Sequence, residues 1–492
     1  VRSFWSAQAH PTYNPRPDES KDERKGAEMN QSTTDYPSSR RHFMLGGAAI
    51  AGAAGLASQM ASADAASCSN DATPSCSATV FDVTQYGALR SESWNWSVGD
   101  SADAFARAIS AAKRAGGGTV FVPRGFYTVG SSILINAGNI RIVGDGRGIT
   151  IIAGVNVNGA IISFNTTVTD TQIVNCSVED LTLYGSTLPR AADHAIAMYH
   201  TSKCVLRSVE FRSSLKTTGS SSLLFIANSW INHFYDLHFV GSASYAGLHI
   251  HRDDGSESSN ALHFFGCNFF SNGTPNAIVI DANSNSAAIT GEVYSFNGIT
   301  CQGYSNGIGV WAKRGEGIDI RGYYGEGNNV DIRLGDHTDA SVVRGVTIEN
   351  WRPLSSSIGI HLDQCAGVKI GFGVTRNTQR PILVGRATGV FLFARNAKLE
   401  SLVSFDPAYA RPRTGVMIFD GDAHAYPDWP TPNAMGIIMK SDADDGRHFK
   451  LFVNADGKVC TEEYAISSSY LQPKSPANVV VPCSCGGAGS GV

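Results

Sequence analysis

An excess of basic charge is missing: 39 Lys and Arg stand against 43 Asp and Glu, a formal net charge of −4. A chain balanced in this way offers no basic patch to a nucleic acid and no charge run of the kind that makes a disordered tail. Zinc spacing is missing too. The sequence has 10 cysteines, but none forms a Cys-x-x-Cys pair or a Cys/His ligand pattern. Nucleotide and haem motifs are absent, so neither a cofactor nor a metal ion is expected. Periodic helical segments are nearly absent, while Gly reaches 52 residues and Ser, Thr and Asn abound. That composition indicates short strands and many turns.

Long apolar runs are also lacking. The longest, an Ala/Gly stretch after Leu45, is too short and too Gly-rich to span a bilayer. What precedes and follows it is informative. Arg40-Arg41 is followed by Phe43 and Leu45, then the Ala/Gly run, then Ala61-Ser62-Ala63. This order reads as a twin-arginine export signal with a small-residue cleavage site. Met29 is placed as a start codon would place it for such a signal, which makes 1–28 dispensable. The expected compartment is periplasmic or secreted, with no stable membrane insertion once the signal is cleaved. The expected organisation is an extension plus signal over 1–63, a linker over 64–79, a main domain over 80–405, and a small β cap or module over 406–492. Cys68, Cys76, Cys483 and Cys485 can form disulfides after export. Cys176, Cys204, Cys267, Cys301 and Cys365 lie in strand-like segments and read as small buried hydrophobes.

One helix is predicted, from Ser101 to Ala115. Asp100 or Ser101 can cap it, and Ala104, Phe105, Ala108, Ile109 and Ala112 make an i, i+3/i+4 stripe. Gly116-Gly117-Gly118 ends it. From about residue 176 an apolar-x-apolar triplet recurs. It starts at Ile196, Leu224, Leu248, Ile278, Ile308, Ile332, Ile360 and Ile382, at intervals of 22–30 residues. A second strand follows in each unit, such as Val209-Glu-Phe211 or Val346-Thr-Ile348. Such units indicate a parallel β-solenoid, because one coil cannot bury its apolar side alone and stacked coils can. A β-sandwich is the alternative, but it would show hairpin turns in place of eight similar units. His448–Val453 and Val459–Thr461, separated by Asn-Ala-Asp-Gly, read as a hairpin in the C-terminal region.

The segment FDVTQYGA, the DAFARAI helix and GGGTVFVPRGFYTV, together Phe81–Val129, resemble the N-terminal module of the pectate-lyase superfamily. The sub-group most similar is the one named for rhamnogalacturonase and epimerase-like β-helix proteins. The resemblance implies an all-β fold: a right-handed parallel β-helix whose open end is capped by the helix. It also implies a protein acting on or binding a polysaccharide. It does not settle the reaction, because the superfamily spans lyases, hydrolases, epimerases and tailspikes. In its polygalacturonase branch, catalytic aspartates immediately precede Gly-Ile-x-Ile strands. The matching places here hold Asp193-His194, Tyr245, Asn276 and Asn306, and Asp253-Asp254 comes one strand later. The calcium-binding aspartates of true pectate lyases have no counterpart.

Equivalent positions on successive coils lie ~4.8 Å apart, and side chains alternate along each strand. Outward residues therefore form columns. The first column reads Ala197, Phe225, His249, Val279, Gly309, Arg333, His361 and Leu383. The second reads Tyr199, Ala227, His251, Asp281, Trp311, Gly335, Asp363 and Gly385. The middle coils thus gather His249, His251, Asp281, Trp311, Arg333, His361 and Asp363, with Asp253 and Asp254 in an overhanging turn. Trp311 and His249 are the expected substrate-binding residues, and the others the expected catalytic set. A second candidate face carries Tyr324 and Glu326 with Glu210, His238 and Asn268.

Two mechanisms suit these residues. Proton abstraction next to a uronate carboxylate needs a base, for which His361 or Tyr324 would serve, and a cation such as Arg333. Glycoside hydrolysis needs two carboxylates about 5–5.5 or 6.5–9.5 Å apart. Asp281 and Asp363, three coils apart at roughly 14 Å, are too distant, whereas Asp281 with Asp253 or Asp254 would suit. A non-catalytic polysaccharide-binding or structural solenoid is the alternative to an enzyme.

Overall fold

The computed structural model describes residues 79–185, 192–216, 218–252, 257–282, 291–337, 343–371, 373–394 and 403–406, and the strands 416–420, 436–440, 448–453, 459–466 and 471–473. The export signal, Asp253, Asp254, Cys68, Cys76, Cys483 and Cys485 lie outside the described residues.

Up to Asp420 the strand ladders are parallel, each strand pairing with its equivalent one coil away. Hairpin-built sandwich topology is therefore excluded, and the chain is a right-handed parallel β-helix. Each coil contributes three strands, which stack into three faces. The first face runs from Ile133–Ile135 through Ala246–Arg252, Asn276–Ala282 and Ile308–Ala312 to Val403–Phe405. The second begins with Val80–Asp82 and continues through Ser259–Phe265. The third begins with Gly125–Val129 and ends with Arg352–Leu354.

The expected inward triplets build the core. Ile196, Leu224, Leu248, Ile278, Ile332, Ile360 and Ile382 are buried in one continuous cluster. Each such side chain contributes about 1.5–3 kcal/mol by leaving water. Aromatic residues stack in the same way: the rings of Phe211, Phe239 and Phe269 lie 4.6 and 4.2 Å apart, nearly parallel. One coil departs from the expected register. Ile308 pairs with Asn276, and Ile278 stacks on Val310. The coil from Ile278 onward is two residues longer than the triplet pattern suggests. Ile308 is buried but lies outside the core cluster, in the column of Asn276, and Val310 takes the inward place expected of it; Trp311 and Ala312 shift with it, and the expected register returns at Ile332.

The cap is the helix Ala102–Arg114, which closes the N-terminal end of the core. Its buried stripe is the expected one, Ala104, Phe105, Ala108, Ile109 and Ala112. Asp100, not Ser101, supplies the cap: its Oδ1 accepts the Ala102 N–H at 2.9 Å, while the Ser101 hydroxyl bonds Leu89. The Gly run is required where the chain leaves the helix. Gly117 has φ +137, and a Cβ there would sit 2.7 Å from the Asn139 carbonyl oxygen.

Where the second-face strand begins, each coil turns through one left-handed residue. That column reads Asn175, Lys203, Ile231, Ala261, Val293, Gly317, Gly345, Gly367 and Gly389. The five cysteines of the solenoid are buried. Beyond Asp420 the strands run antiparallel, with Val453 opposite Val459 as the hairpin signal predicts. Among the described residues no helix is long and apolar enough to cross a membrane.

Candidate active site

The site grows out of first-face register. Pairing of Ala246–Arg252 with Asn276–Ala282 sets His251 directly against Asp281 and His249 against Val279. Leu248, Ile250, Ile278 and Ile280 point into the core, so the residues between them face out. The next coil pairs Ile280 with Ala312, which brings Lys313 beside Asp281. Tyr245, just before its strand, leans over the same spot.

Asp281 is the hub. Its Oδ1 accepts His249 Nε2–H at 2.7 Å and His251 Nδ1–H at 2.6 Å. Its Oδ2 accepts the Tyr245 hydroxyl at 2.5 Å and lies 3.7 Å from the Lys313 ammonium. Lys313 Nζ also donates to the Tyr245 oxygen at 2.8 Å. Because an ionised carboxylate only accepts, both imidazoles must carry their proton on the nitrogen that faces it. Burial disfavours the Asp281 charge, but the hydrogen bonds from His249, His251 and Tyr245 outweigh it and hold the group well below the usual carboxylate range. Burial pushes His249 down, so it stays neutral. Burial and the neighbouring Asp281 charge push Tyr245 well up, so it stays protonated.

His249, His251 and Asp281 are also the described group that could hold a metal ion, with ligand atoms within 4.8 Å of one another. The donor set fits a proton network better. Ligation through His249 Nε2 would move its proton to Nδ1, which is buried without a hydrogen-bond partner. Metal-bound histidines ordinarily donate that second N–H to an acceptor. The Lys313 ammonium beside Oδ2 opposes a cation as well.

Down the same face other expected residues form a second group, joined to the first through Lys313. Trp311 stands in the first column beside Val279, two places from its expected position, and Lys313 takes the place in the second column. Lys313 Nζ lies 4.2 Å and the Arg333 guanidinium 5.0 Å from the indole ring, and the indole N–H donates to the Gly335 carbonyl at 2.9 Å. Arg333 reaches on to Asp363 at 2.6 Å, and His337 pairs with the other oxygen at 2.9 Å. Asp363 is fully buried beneath them. His361 bonds Asp406 at 3.1 Å, and burial lowers its pKa. Tyr324 and Glu326 lie on the third face, away from Asp281, where the Tyr324 hydroxyl donates to Glu326 at 2.8 Å and Gln302 at 3.0 Å does the same. The structure therefore joins His249, His251 and Asp281, and adds Tyr245 and Lys313.

Residues 80–305 match the family model "Rhamnogalacturonase A/epimerase, pectate lyase-like". The match takes in Tyr245, His249, His251 and Asp281; Lys313 follows it. No curated protein sequence matches the chain. Solved structures similar in fold include the A-module of the Azotobacter vinelandii mannuronan C-5 epimerase AlgE4, at 14% identity and TM-score 0.40, covering 71% of this chain and 100% of that one. The Streptococcus pneumoniae surface adhesin PfbA aligns at 14% identity and TM-score 0.45, covering 76% and 99%. A Yersinia enterocolitica family 28 exopolygalacturonase aligns at 11% identity and TM-score 0.40, covering 64% and 78%.

Proposed function

We propose that this β-helix is an exported enzyme that acts on a uronate-containing polysaccharide by removing the proton next to the uronate carboxylate, with the Asp281 centre as its active site. One observation carries the choice of reaction. Both Asp281 oxygens are taken up by three protein donors, and the carboxylate stays ionised. It is neither an available nucleophile nor a proton donor, which removes it from both carboxylate roles of a glycosidase.

The groups that can move a proton are those around it. Asp281 accepts the Nδ1–H of His251, which orients the imidazole and raises its basicity, and His251 is accordingly assigned as the base. Tyr245, kept protonated, is the acid. In elimination, His251 takes the sugar C5 proton, the C4–O4 bond breaks, and O4 leaves with the Tyr245 proton. The products are an unsaturated uronate end and a new chain end. The two side chains then re-equilibrate through solvent, with Lys313 stabilising the transient phenolate at 2.8 Å. Lys313 and Arg333 also supply the positive charge that favours an acidic sugar and its developing enolate. Without departure of O4, return of a proton to the opposite face of C5 would give the epimer. Export by the twin-arginine route belongs to the same reading and rests on Arg40-Arg41 and the segment after them.

The test incubates the protein with polyuronates and with neutral polysaccharides. Ultraviolet absorbance from unsaturated ends marks elimination, and deuterium uptake from solvent at C5 without absorbance marks epimerisation. Reducing ends released without either signal, or no change in any polyuronate, would overturn the proposal.

A further inference from the structure

The loop between Leu89 and Asp100 takes no part in the Asp281 centre, yet it presents two tryptophans to solvent, Trp94 at 51% and Trp96 at 41% exposure. Large indoles left this open are uncommon without a partner. Neither is a loose side chain. Trp94 packs on Phe126 and Tyr184 with ring centres 5.4 and 5.0 Å away, and Trp96 on the same two rings at 5.3 and 5.4 Å. Phe126 and Tyr184 belong to a small outward cluster with Ile151 and Ala153, separate from the solenoid core. The loop ends are pinned to that sheet: Ser91 and Phe126 exchange backbone hydrogen bonds at 3.0 and 2.9 Å, and Ser101 N–H donates to the Thr128 carbonyl at 2.8 Å. An internal turn closes where Asn95 Oδ1 accepts the Ser97 N–H at 3.0 Å.

We infer that Trp94 and Trp96 form a second carbohydrate-binding surface, distinct from the Asp281 centre, whose ligand is a neutral polysaccharide. Three features support the ligand class. Beside and between the indoles the exposed residues include Ser93, Asn95 and Ser97, which offer hydroxyl and amide groups of the kind that read sugar hydroxyls while the rings stack on sugar faces. The loop carries no unpaired cation: Arg90 pairs with Glu92 at 3.1 Å and Asp100 accepts the Ala102 and Gly130 N–H groups, so it presents nothing like the Lys313–Arg333 pair that suits an acidic sugar. Finally, Phe126 heads a third-face column that continues through Ile151, Thr182, Glu210, His238, Asn268 and Thr300 to Tyr324; its first members are buried, and from His238 on it presents half-buried polar side chains that can extend the contact with a long glycan. The charge within that column is paired, Glu210 with Arg212, and so is Asp236 beside it, with Arg147. The rigid mounting matters because little side-chain freedom is lost on binding.

Affinity electrophoresis of the full chain through gels containing galactomannan, hydroxyethylcellulose or polygalacturonate tests this. Retardation by a neutral gum is expected, with about a tenfold or greater loss in the Trp94→Ala/Trp96→Ala double variant and none in Asp281→Asn. Because the indoles also cover Phe126, the Trp94→Phe/Trp96→Phe pair, which keeps the cluster covered, provides a folded control that should bind more weakly than the unaltered chain. In the unaltered chain the neutral gum should also shield tryptophan fluorescence from acrylamide. Absence of retardation by both neutral gums, unchanged retardation in both double variants, or retardation by polygalacturonate alone would overturn the inference. None of these outcomes bears on the reaction at Asp281, which is read by product formation.

Discussion

Asp281 and Asp331 are both buried carboxylates on first-face strands, and the fold treats them in opposite ways. Asp281 faces out beneath Tyr245, and two imidazoles and a phenol donate to it within 2.7 Å, with an ammonium at 3.7 Å. Its charge survives burial. Asp331 faces the core and has Asn328 at 2.6 Å and Tyr323 at 3.2 Å. Burial there outweighs those hydrogen bonds and pushes its pKa up to about 6. Burial alone therefore does not decide the state of a carboxylate. The hydrogen-bond donors that face the carboxylate decide it. A site can be recognised by that compensation: the protein has supplied Asp281 with everything an anion needs and left Asp331 under-supplied.

The sharpest way to break the comparison is to remove the compensated charge. Asp281→Asn keeps the shape and abolishes the anion that orients His251 and keeps Tyr245 protonated. Activity on the polyuronate should fall by roughly 100-fold or more, the scale of a lost acid–base function. Stability should fall by only about 1–3 kcal/mol, the cost of leaving buried donors poorly matched. Circular dichroism and the melting curve read the second quantity independently of the first. Retained activity would move the reaction away from this centre.

Tyr245→Phe and Lys313→Met ask which neighbours do chemistry and which only hold the charge. Tyr245→Phe removes the acid, so turnover should drop by about 100-fold with KM little changed. Lys313→Met removes positive charge that both ground state and enolate feel, so KM should rise and turnover fall together, and the dependence of KM on salt should weaken. A Tyr245→Phe enzyme that turns over normally would leave the proton donor elsewhere.

Sequence pattern made the fold legible because inward triplets on stacked coils must be apolar. The cap helix was legible from its stripe and the Gly run. His249, His251 and Asp281 were legible because their coils keep one register. Trp311 was placed two positions off for a definite reason: Ile308-Gly-Val310 and Val310-Trp-Ala312 both satisfy the apolar-x-apolar rule, and only the pairing of Ile278 with Val310 separates them. That slip also concealed Lys313. Tyr245 precedes its strand, where alternation does not fix direction. Asp331 was missed because residues entering a strand from a turn break the alternation: Asp331 and Ile332 are adjacent and both buried.

Asp331 should also leave a signature in stability against pH. A carboxyl whose folded pKa is above its unfolded value binds more protons when folded, so its contribution is complete below about pH 4 and is lost as pH rises through about 6. Asp281, depressed, acts with the opposite sign: its contribution is present above the ordinary aspartate range and is lost as pH falls below it. Asp331→Asn should therefore gain on the unaltered protein as pH rises from 4 to 7, by about 1–3 kcal/mol, visible as a converging or crossing pair of melting curves. A pH-independent difference would mean that Asp331 stays in one protonation state over that range.

The smallest effect concerns the same contrast carried by the backbone. In the left-handed column, Gly317, Gly345, Gly367 and Gly389 take the conformation without a side chain in the way, whereas Ile231 at φ 54 and Val293 at φ 59 do not. A left-handed residue with a Cβ costs about 1–2 kcal/mol, and β-branching makes it worse. Nothing inside the core compensates, because Ile231 and Val293 are 44% and 52% exposed. Glycine at either position releases the strain but adds freedom to the unfolded chain, which takes back about 0.5–1 kcal/mol. Asparagine tolerates the conformation and keeps more of the gain, as Asn175 does in the same column. Ile231→Asn and Val293→Asn should each raise stability by about 0.5–1 kcal/mol, ahead of the corresponding glycine variants, in denaturant titrations with unchanged slope. Destabilisation by asparagine at both positions would show that the exposed Ile and Val hold the turn by contacts that outweigh their backbone cost.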